Sequence, residues 1–190
     1  MRVIAGIAKG RTLKTPASIT RPTMDRVRAA IFSILGERVP NARVLDLFAG
    51  TGAMGIEALS RGAATAIFVD QNKKSTEVIR QNLELTKLRG EIKQVDAISF
   101  LKFQQACFDL IFADPPYASN TDSDWIAKLL STPELLKAIA EEGLLILECE
   151  KAQLLPEISE LEKIIDRTYG VTRVVIFRKQ QMKREWEIPT

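Results

Sequence analysis

The alternation of short β-rich runs with helix-patterned segments from Arg43 onward predicts an α/β protein built on a parallel, doubly wound sheet. Two further observations point the same way. A glycine turn, Gly50-Thr51-Gly52-Ala53-Met54-Gly55, follows the first of these runs. Carboxylates stand at or near the ends of four successive strand-like segments: Asp46, Asp70, Asp96 and Asp114. At 190 residues and 46% hydrophobic content, the chain suits one α/β domain with a small attachment.

Residues 1–22 read as a basic N-terminal hairpin and loop, with strands Arg2 to Ile7 and Arg11 to Lys14 turning at Lys9-Gly10. A helix follows from about Met24 to Leu35. Thr23 is its expected N-cap, Asp25 lies in its first turn, Val27, Ile31, Ile34 and Leu35 form its apolar stripe, and Gly36 ends it. The pattern then gives strand 44–48, helix 53–61, strand 65–69, helix 73–87, strand 92–95, helix 97–103, strand 108–113, helices near 123–131 and 133–141, and strand 143–149. After Pro156 a short helix is expected before runs 163–169 and 172–178, whose close spacing around Tyr169-Gly170 reads as an antiparallel hairpin closing one sheet edge. The main domain is thus 23–179, and the polar tail 180–190, with Trp186, receives no role.

Composition narrows the chemistry. There are no histidines, so the commonest general base and metal ligand are both missing. Cys107 and Cys149 sit near or in predicted strands as small hydrophobes, and neither a disulfide framework nor a metal site is expected. Apolar runs are too short for a membrane helix, and the N-terminus is basic and polar, so a cytoplasmic enzyme is the expectation. Charge is divided unevenly. Residues 1–43 hold nine Lys/Arg against Asp25 and Glu37, a net +7, whereas residues 44–190 hold 18 against 22, a net −4. That asymmetry favours a polyanionic partner at the N-terminal end, with Arg2, Lys9, Arg11, Lys14, Arg21, Arg26 and Arg28 as its candidate phosphate contacts.

The glycine turn matches G-x-G-x-x-G, with Asp70 twenty residues after Gly50, and read alone it suggests a dinucleotide. Asp46 argues against a pyrophosphate. Two anions a few ångströms apart repel by about 4 kcal/mol at an effective dielectric near 20. S-adenosylmethionine carries no phosphate but has a sulfonium and an ammonium group, which Asp46 would attract. Gly50 and Gly52 would admit close approach of the chain, Asp70 would accept from both ribose hydroxyls, and Asp96 would suit the exocyclic amine of adenine. Phe48, Gln71 and Ala97 flank these groups and belong to the same expected site. Asp70 and Asp96 are also in position to be ordinary helix N-caps.

Asp114-Pro115-Pro116-Tyr117 ends the fourth predicted strand, across the topological switch point from the first. Asp and Pro are common in plain turns. Beside a sulfonium cofactor, however, the tetrapeptide suits methylation of an amine. A nucleobase amine is a weak nucleophile because its lone pair is delocalised into the ring. Hydrogen bonds to the Asp114 carboxylate and the Pro115 carbonyl would localise that pair, and Tyr117 would stack on the base. Asp114 thereby belongs to both the catalytic and the cofactor-binding sets. The proton leaves during or after attack, so no histidine is needed. Methylation at pyrimidine carbon-5 generally requires a cysteine nucleophile, and neither cysteine lies in a site loop.

The chain resembles the bacterial 16S ribosomal RNA guanine-N2 methyltransferases of the RsmD type. The similarity lies in Arg2-Val3-Ile4-Ala5-Gly6 with Lys9-Gly10-Arg11, in Arg21-Pro22-Thr23-Met24-Asp25-Arg26-Val27-Arg28, in Leu45 to Gly52, in Phe68-Val69-Asp70-Gln71-Asn72 and in the Asp114 tetrapeptide. The resemblance implies a Rossmann-like class I fold with a seven-stranded sheet. It also implies transfer of a methyl group to one guanine N2 of 16S ribosomal RNA, on an assembled or assembling small subunit. Three other readings use the same motifs: a DNA adenine-N6 methyltransferase, an oxidoreductase using the glycine fingerprint, and a non-catalytic RNA-binding module.

Overall fold

A computed structural model describes residues 1–15, 22–116 and 124–180. Seven strands form one sheet: β1 (Arg43–Leu47), β2 (Thr65–Val69), β3 (Glu91–Lys93), β4 (Phe108–Ala113), β5 (Ile139–Glu150), β6 (Leu161–Tyr169) and β7 (Thr172–Lys179). Their order is β3-β2-β1-β4-β5-β7-β6. Strands β1 to β5 are parallel, β7 runs antiparallel to β5, and β6 pairs antiparallel with β7. The chain builds outward from β1 to β3 and then returns to β4. The crevice between β1 and β4 is therefore the switch point at which open α/β sheets bind ligands.

Side-chain alternation sorts the sheet into two faces. Val44, Leu110, Phe112, Leu144, Ile146, Val174 and Ile176 form one core with helices α1 (Pro22–Leu35), α2 (Ala53–Ser60) and α3 (Lys73–Thr86). Leu45, Leu47, Ile111, Ala113, Leu145, Leu147, Val175 and Phe177 form the other with α4 (Ala97–Phe103), α5 (Trp125–Leu130) and α6 (Pro133–Ala138). Within α1, Val27, Ile31, Phe32 and Leu35 are buried, and Phe32 lies 5.6 Å from the Phe112 ring.

Several expected boundaries shift. Helix α1 starts at Pro22, so Thr23 lies inside it and is not its cap; proline's fixed φ favours that first position. The N-terminal strands reduce to a single antiparallel bridge, Arg2 to Thr12, flanked by bonds from Val3 N to Arg11 O and from Leu13 N to Met1 O. Strand β5 begins at Ile139, inside the predicted second helix. Buried Ile139 pairs with Phe108, and an irregularity follows in which Glu142 takes φ +60° and Gly143 packs where a Cβ would meet three atoms at 2.9 Å. No helix forms between Pro156 and β6, where residues 156–160 run as coil and turn. Tyr117, Arg21 and residues 181–190, including Trp186, lie outside the described residues.

The N-terminal segment is fastened to the domain. The Glu57 carboxylate on α2 accepts from Ile4 N at 2.8 Å and Ala5 N at 3.0 Å, and also receives Arg61 Nε at 2.7 Å. Asn82 on α3, fully buried, accepts from Lys14 N at 2.7 Å and donates to Lys14 O and Thr51 O. Its amide therefore ties the basic segment to the glycine loop.

Candidate functional site

Asp46 sits one residue before the end of β1, and its partner in the β4 register is Phe112. It is 3% exposed, and its Oδ2 accepts from Gly55 N at 2.9 Å. Burial pushes its carboxyl up to about 8, the Gly55 N–H opposes that rise, and the charges of Asp114 and Asp70 add to it. The loop that follows takes left-handed backbone at Phe48 (φ +56°), Gly50 (φ +55°) and Gly52 (φ +75°). For an aromatic residue this conformation is costly, and such strain concentrates where backbone is held for a ligand. Gly52 and Gly55 also serve packing. A Cβ on Gly52 would press on Ile79 at 3.2 Å, and one on Gly55 would meet Phe68 at 2.4 Å.

Asp70 follows β2 and braces this loop. One carboxylate oxygen accepts from Gly50 N at 2.9 Å and the other from Asn72 N at 2.8 Å. The N-cap of α3 is Asn72, not Asp70. Asp96 does cap its helix, accepting from Ser99 N at 2.9 Å. A capping carboxylate retains lone pairs for a ligand, so its structural and binding readings coexist.

A cavity of about 570 Å³ opens over these strand ends. Asp46, Phe48, Gly50, Asp70, Gln71, Asp96, Ala97, Asp114 and Pro116, all expected site residues, line it. Pro115 is buried behind the wall, and Gly52 faces the packing between α3 and β2. Asp114 is open to the cavity and accepts no hydrogen bond among the described residues; the protein around it pushes its carboxyl up to about 6. The cavity suits a cationic, ribose-bearing ligand. It offers a buried carboxyl at Asp46, a half-buried one at Asp70 and a glycine loop with little side-chain bulk.

Among the lining residues not expected in this site from the sequence are Met1, Lys74, Ser75, Val78, Trp125 and Glu148, together with Arg28, which was expected to contact phosphates instead. Glu148 follows Ile146 on β5 with the same alternation that sets Asp114 after Phe112, so applying the strand-end rule to a fifth strand finds it. Trp125 approaches Phe48 edge-on at 6.0 Å, and Met1 Sδ lies 3.9 Å from Thr51 Oγ1. Those two depend on folding alone.

Arg28 departs from its expected place among the phosphate contacts. It is 3% exposed, donates to Asp25 Oδ1 at 3.0 Å and to the Arg2 carbonyl, and lies 3.7 Å from Glu57. It lies on the buried side of α1, with Val27 and Ile31. Arg2, Lys9, Arg11, Lys14 and Arg26 are exposed, with Lys14 Nζ donating to Gln81 Oε1 at 2.9 Å.

Comparison with known proteins places these features in a family. A family profile described as "Conserved hypothetical protein 95" matches residues 1–178. "Putative rRNA methyltransferase YlbH" of Bacillus subtilis is 39% identical over 188 residues, covering 95% of this chain and 100% of that protein. "Ribosomal RNA small subunit methyltransferase D" of Escherichia coli K12 is 34% identical, covering 83% and 79%. Among solved structures, the one titled "Putative methyltransferase yhhF from Escherichia coli" superposes with a TM-score of 0.80 at 30% identity, covering 95% and 98%. The chain belongs to this methyltransferase family, that of YlbH and RsmD.

Proposed function

We propose that this protein transfers a methyl group from S-adenosylmethionine to the exocyclic N2 of a guanine in 16S ribosomal RNA, on an assembled or assembling small subunit. The observation that carries the reading is Asp114, a carboxyl open to the cavity and free of protein hydrogen bonds among the described residues, one strand from the glycine loop. The relatives' names supply the RNA. The cofactor contributes an electrophilic methyl group on a sulfonium centre. Asp46 would hold its cationic amino-acid end, Asp70 its ribose and Asp96 its adenine.

The remaining chemistry belongs to the chain. Above about pH 6 the Asp114 carboxylate is ionised and accepts an N2–H bond, drawing the lone pair out of the purine ring. As the nitrogen forms its new bond to carbon, the carbon–sulfur bond breaks with its electrons going to sulfur. The nitrogen's surplus proton passes to Asp114 and on to water. Pro115 contributes a carbonyl and a rigid turn. Tyr117 is proposed to hold the purine ring. The exposed cations Arg2, Lys9, Arg11, Lys14 and Arg26, together with Arg21, would grip phosphates around a flipped or unpaired nucleotide.

The test is incubation with labelled S-adenosylmethionine and undermodified small subunits, followed by nucleoside mass analysis. N2-methylguanosine is the expected product. No label in the RNA, with N6-methyladenosine formed when DNA is offered in a parallel incubation, would overturn the proposal.

A further inference from the structure

Glu148 lies one strand beyond Asp114, on the side of the cavity away from β1 and β2. The register that opposes Ala113 to Leu147 carries the next residues, Asp114 and Glu148, side by side at the cavity wall. Glu148 accepts no hydrogen bond among the described residues, and its charged neighbours are Asp114, Asp46 and Arg28. Arg28, 3% exposed and lining the same cavity, leaves its Nε without a hydrogen bond. A carboxyl at the end of the apolar run Leu144-Leu145-Ile146-Leu147, beside two other acids and given no donor, burdens the fold. Such a group is retained where a ligand supplies the missing donors.

On the reading proposed above, Asp46 would hold the cofactor's cation on the β1 side, which leaves the substrate base as the group within reach of Glu148. The Watson–Crick edge of guanine presents N1–H and N2–H side by side, two donors at a spacing that a carboxylate accepts in parallel. Adenine presents an unprotonated N1 there, which would set a lone pair against the carboxylate.

Resting on the guanine reading above, we infer that Glu148 selects the base, accepting N1–H and one N2–H while Asp114 accepts the other N2–H. Both N–H bonds are then held in the ring plane, leaving the developing lone pair directed out of it. Glu148 thus acts on specificity and Asp114 on transfer.

The experiment compares wild-type protein with Glu148→Gln on small subunits whose target position, mapped by the product analysis, carries either guanine or 2-aminopurine. The latter keeps the N2 amine but has an unprotonated N1. Wild type should favour guanine by about 10²-fold or more in kcat/KM, since a site built around a hydrogen bond rejects the analogue that lacks it. Glu148→Gln places an amide N–H opposite N1 and should shift the ratio toward 2-aminopurine by about 10²-fold. Its S-adenosylmethionine Kd should stay within about threefold of wild type, and its melting temperature should be equal or higher. An unchanged base ratio, a weakened cofactor Kd or a clear loss of stability would each overturn the assignment. Wild-type protein that leaves guanine N2 unmethylated overturns the guanine reading itself, whereas normal N2-methylguanosine formation with an unchanged ratio overturns only the role of Glu148.

Discussion

The two halves of the cavity carry the same kind of side chain in opposite states. On the β1–β3 half, Asp46, Asp70 and Asp96 each accept a backbone N–H, from Gly55, from Gly50 and Asn72, and from Ser99. On the β4–β5 half, Asp114 and Glu148 accept none among the described residues. The first set folds the loops it serves, so its geometry is fixed before any ligand arrives. The second set remains costly until donors come to it. A cofactor used at every turnover suits the first arrangement, and a base that must be checked and then released suits the second.

The difference breaks most sharply at Asp114. Asp114→Ala should lower methyl transfer by about 10³-fold, and the S-adenosylmethionine Kd should move by no more than about threefold; normal turnover would remove Asp114 from the reaction. Because its carboxyl is raised to about 6, the wild-type rate should fall as pH drops below that value and the accepting carboxylate is protonated, a profile read from single-turnover kinetics.

Asp46 tests the opposite half. Asp46→Asn should weaken cofactor binding by about 10- to 100-fold, because the neutral amide no longer attracts the cation or accepts a charge-assisted hydrogen bond from it. The wild-type affinity should rise with pH up to about 8, because only the ionised carboxyl attracts the cation, and the Asn variant should lack that dependence. The sign for stability is reversed. A carboxyl raised from its ordinary 3.8 to about 8 binds its proton more tightly in the folded state. Its contribution is therefore full below about pH 4 and fades as pH rises to about 8, so the ligand-free melting temperature should fall across that window, less steeply in Asp46→Asn.

Asp70→Ala removes an acceptor that two backbone donors use. It should raise the cofactor Kd by about tenfold and lower the melting temperature by several degrees, and calorimetry showing an unchanged Kd would take Asp70 out of the ribose role. The smallest effect is expected outside the cavity. Lys9→Glu with Arg11→Glu should weaken subunit binding several-fold at low salt and reduce the salt slope by about one for each phosphate no longer neutralised; an affinity indifferent to salt would leave the basic segment as plain surface.

Much of the fold was legible because its signals are local. Short, nearly continuous apolar runs set β1, β2 and β4, the 3.6-residue stripe of Val27, Ile31 and Leu35 set α1, and Gly170 marked the closing hairpin. What failed locally depends on distant partners. Ile139 joins β5 because Phe108 waits across the sheet, and the N-terminal strands shrink to one bridge because α2 and α3 take up much of their hydrogen bonding. Within the site, Asp46, Asp70, Asp96 and Asp114 could be picked out from their positions at strand ends. Arg28 could not be placed, since the helical period puts it on the same side as Val27 and Ile31, yet its charge alone suggested the surface.

The sequence by itself determined that this is a doubly wound α/β protein with carboxylates gathered at the ends of its strands, because the alternation of strand and helix segments is written in short-range patterning. Only the tertiary structure decided which of those carboxylates are spent on the backbone and which stay available. It also turned a basic residue inward to face them. Hydrogen-bond partners and burial are properties of segments brought together from far apart, such as Gly50 with Asp70 and Arg28 with Glu57, and no local pattern encodes them.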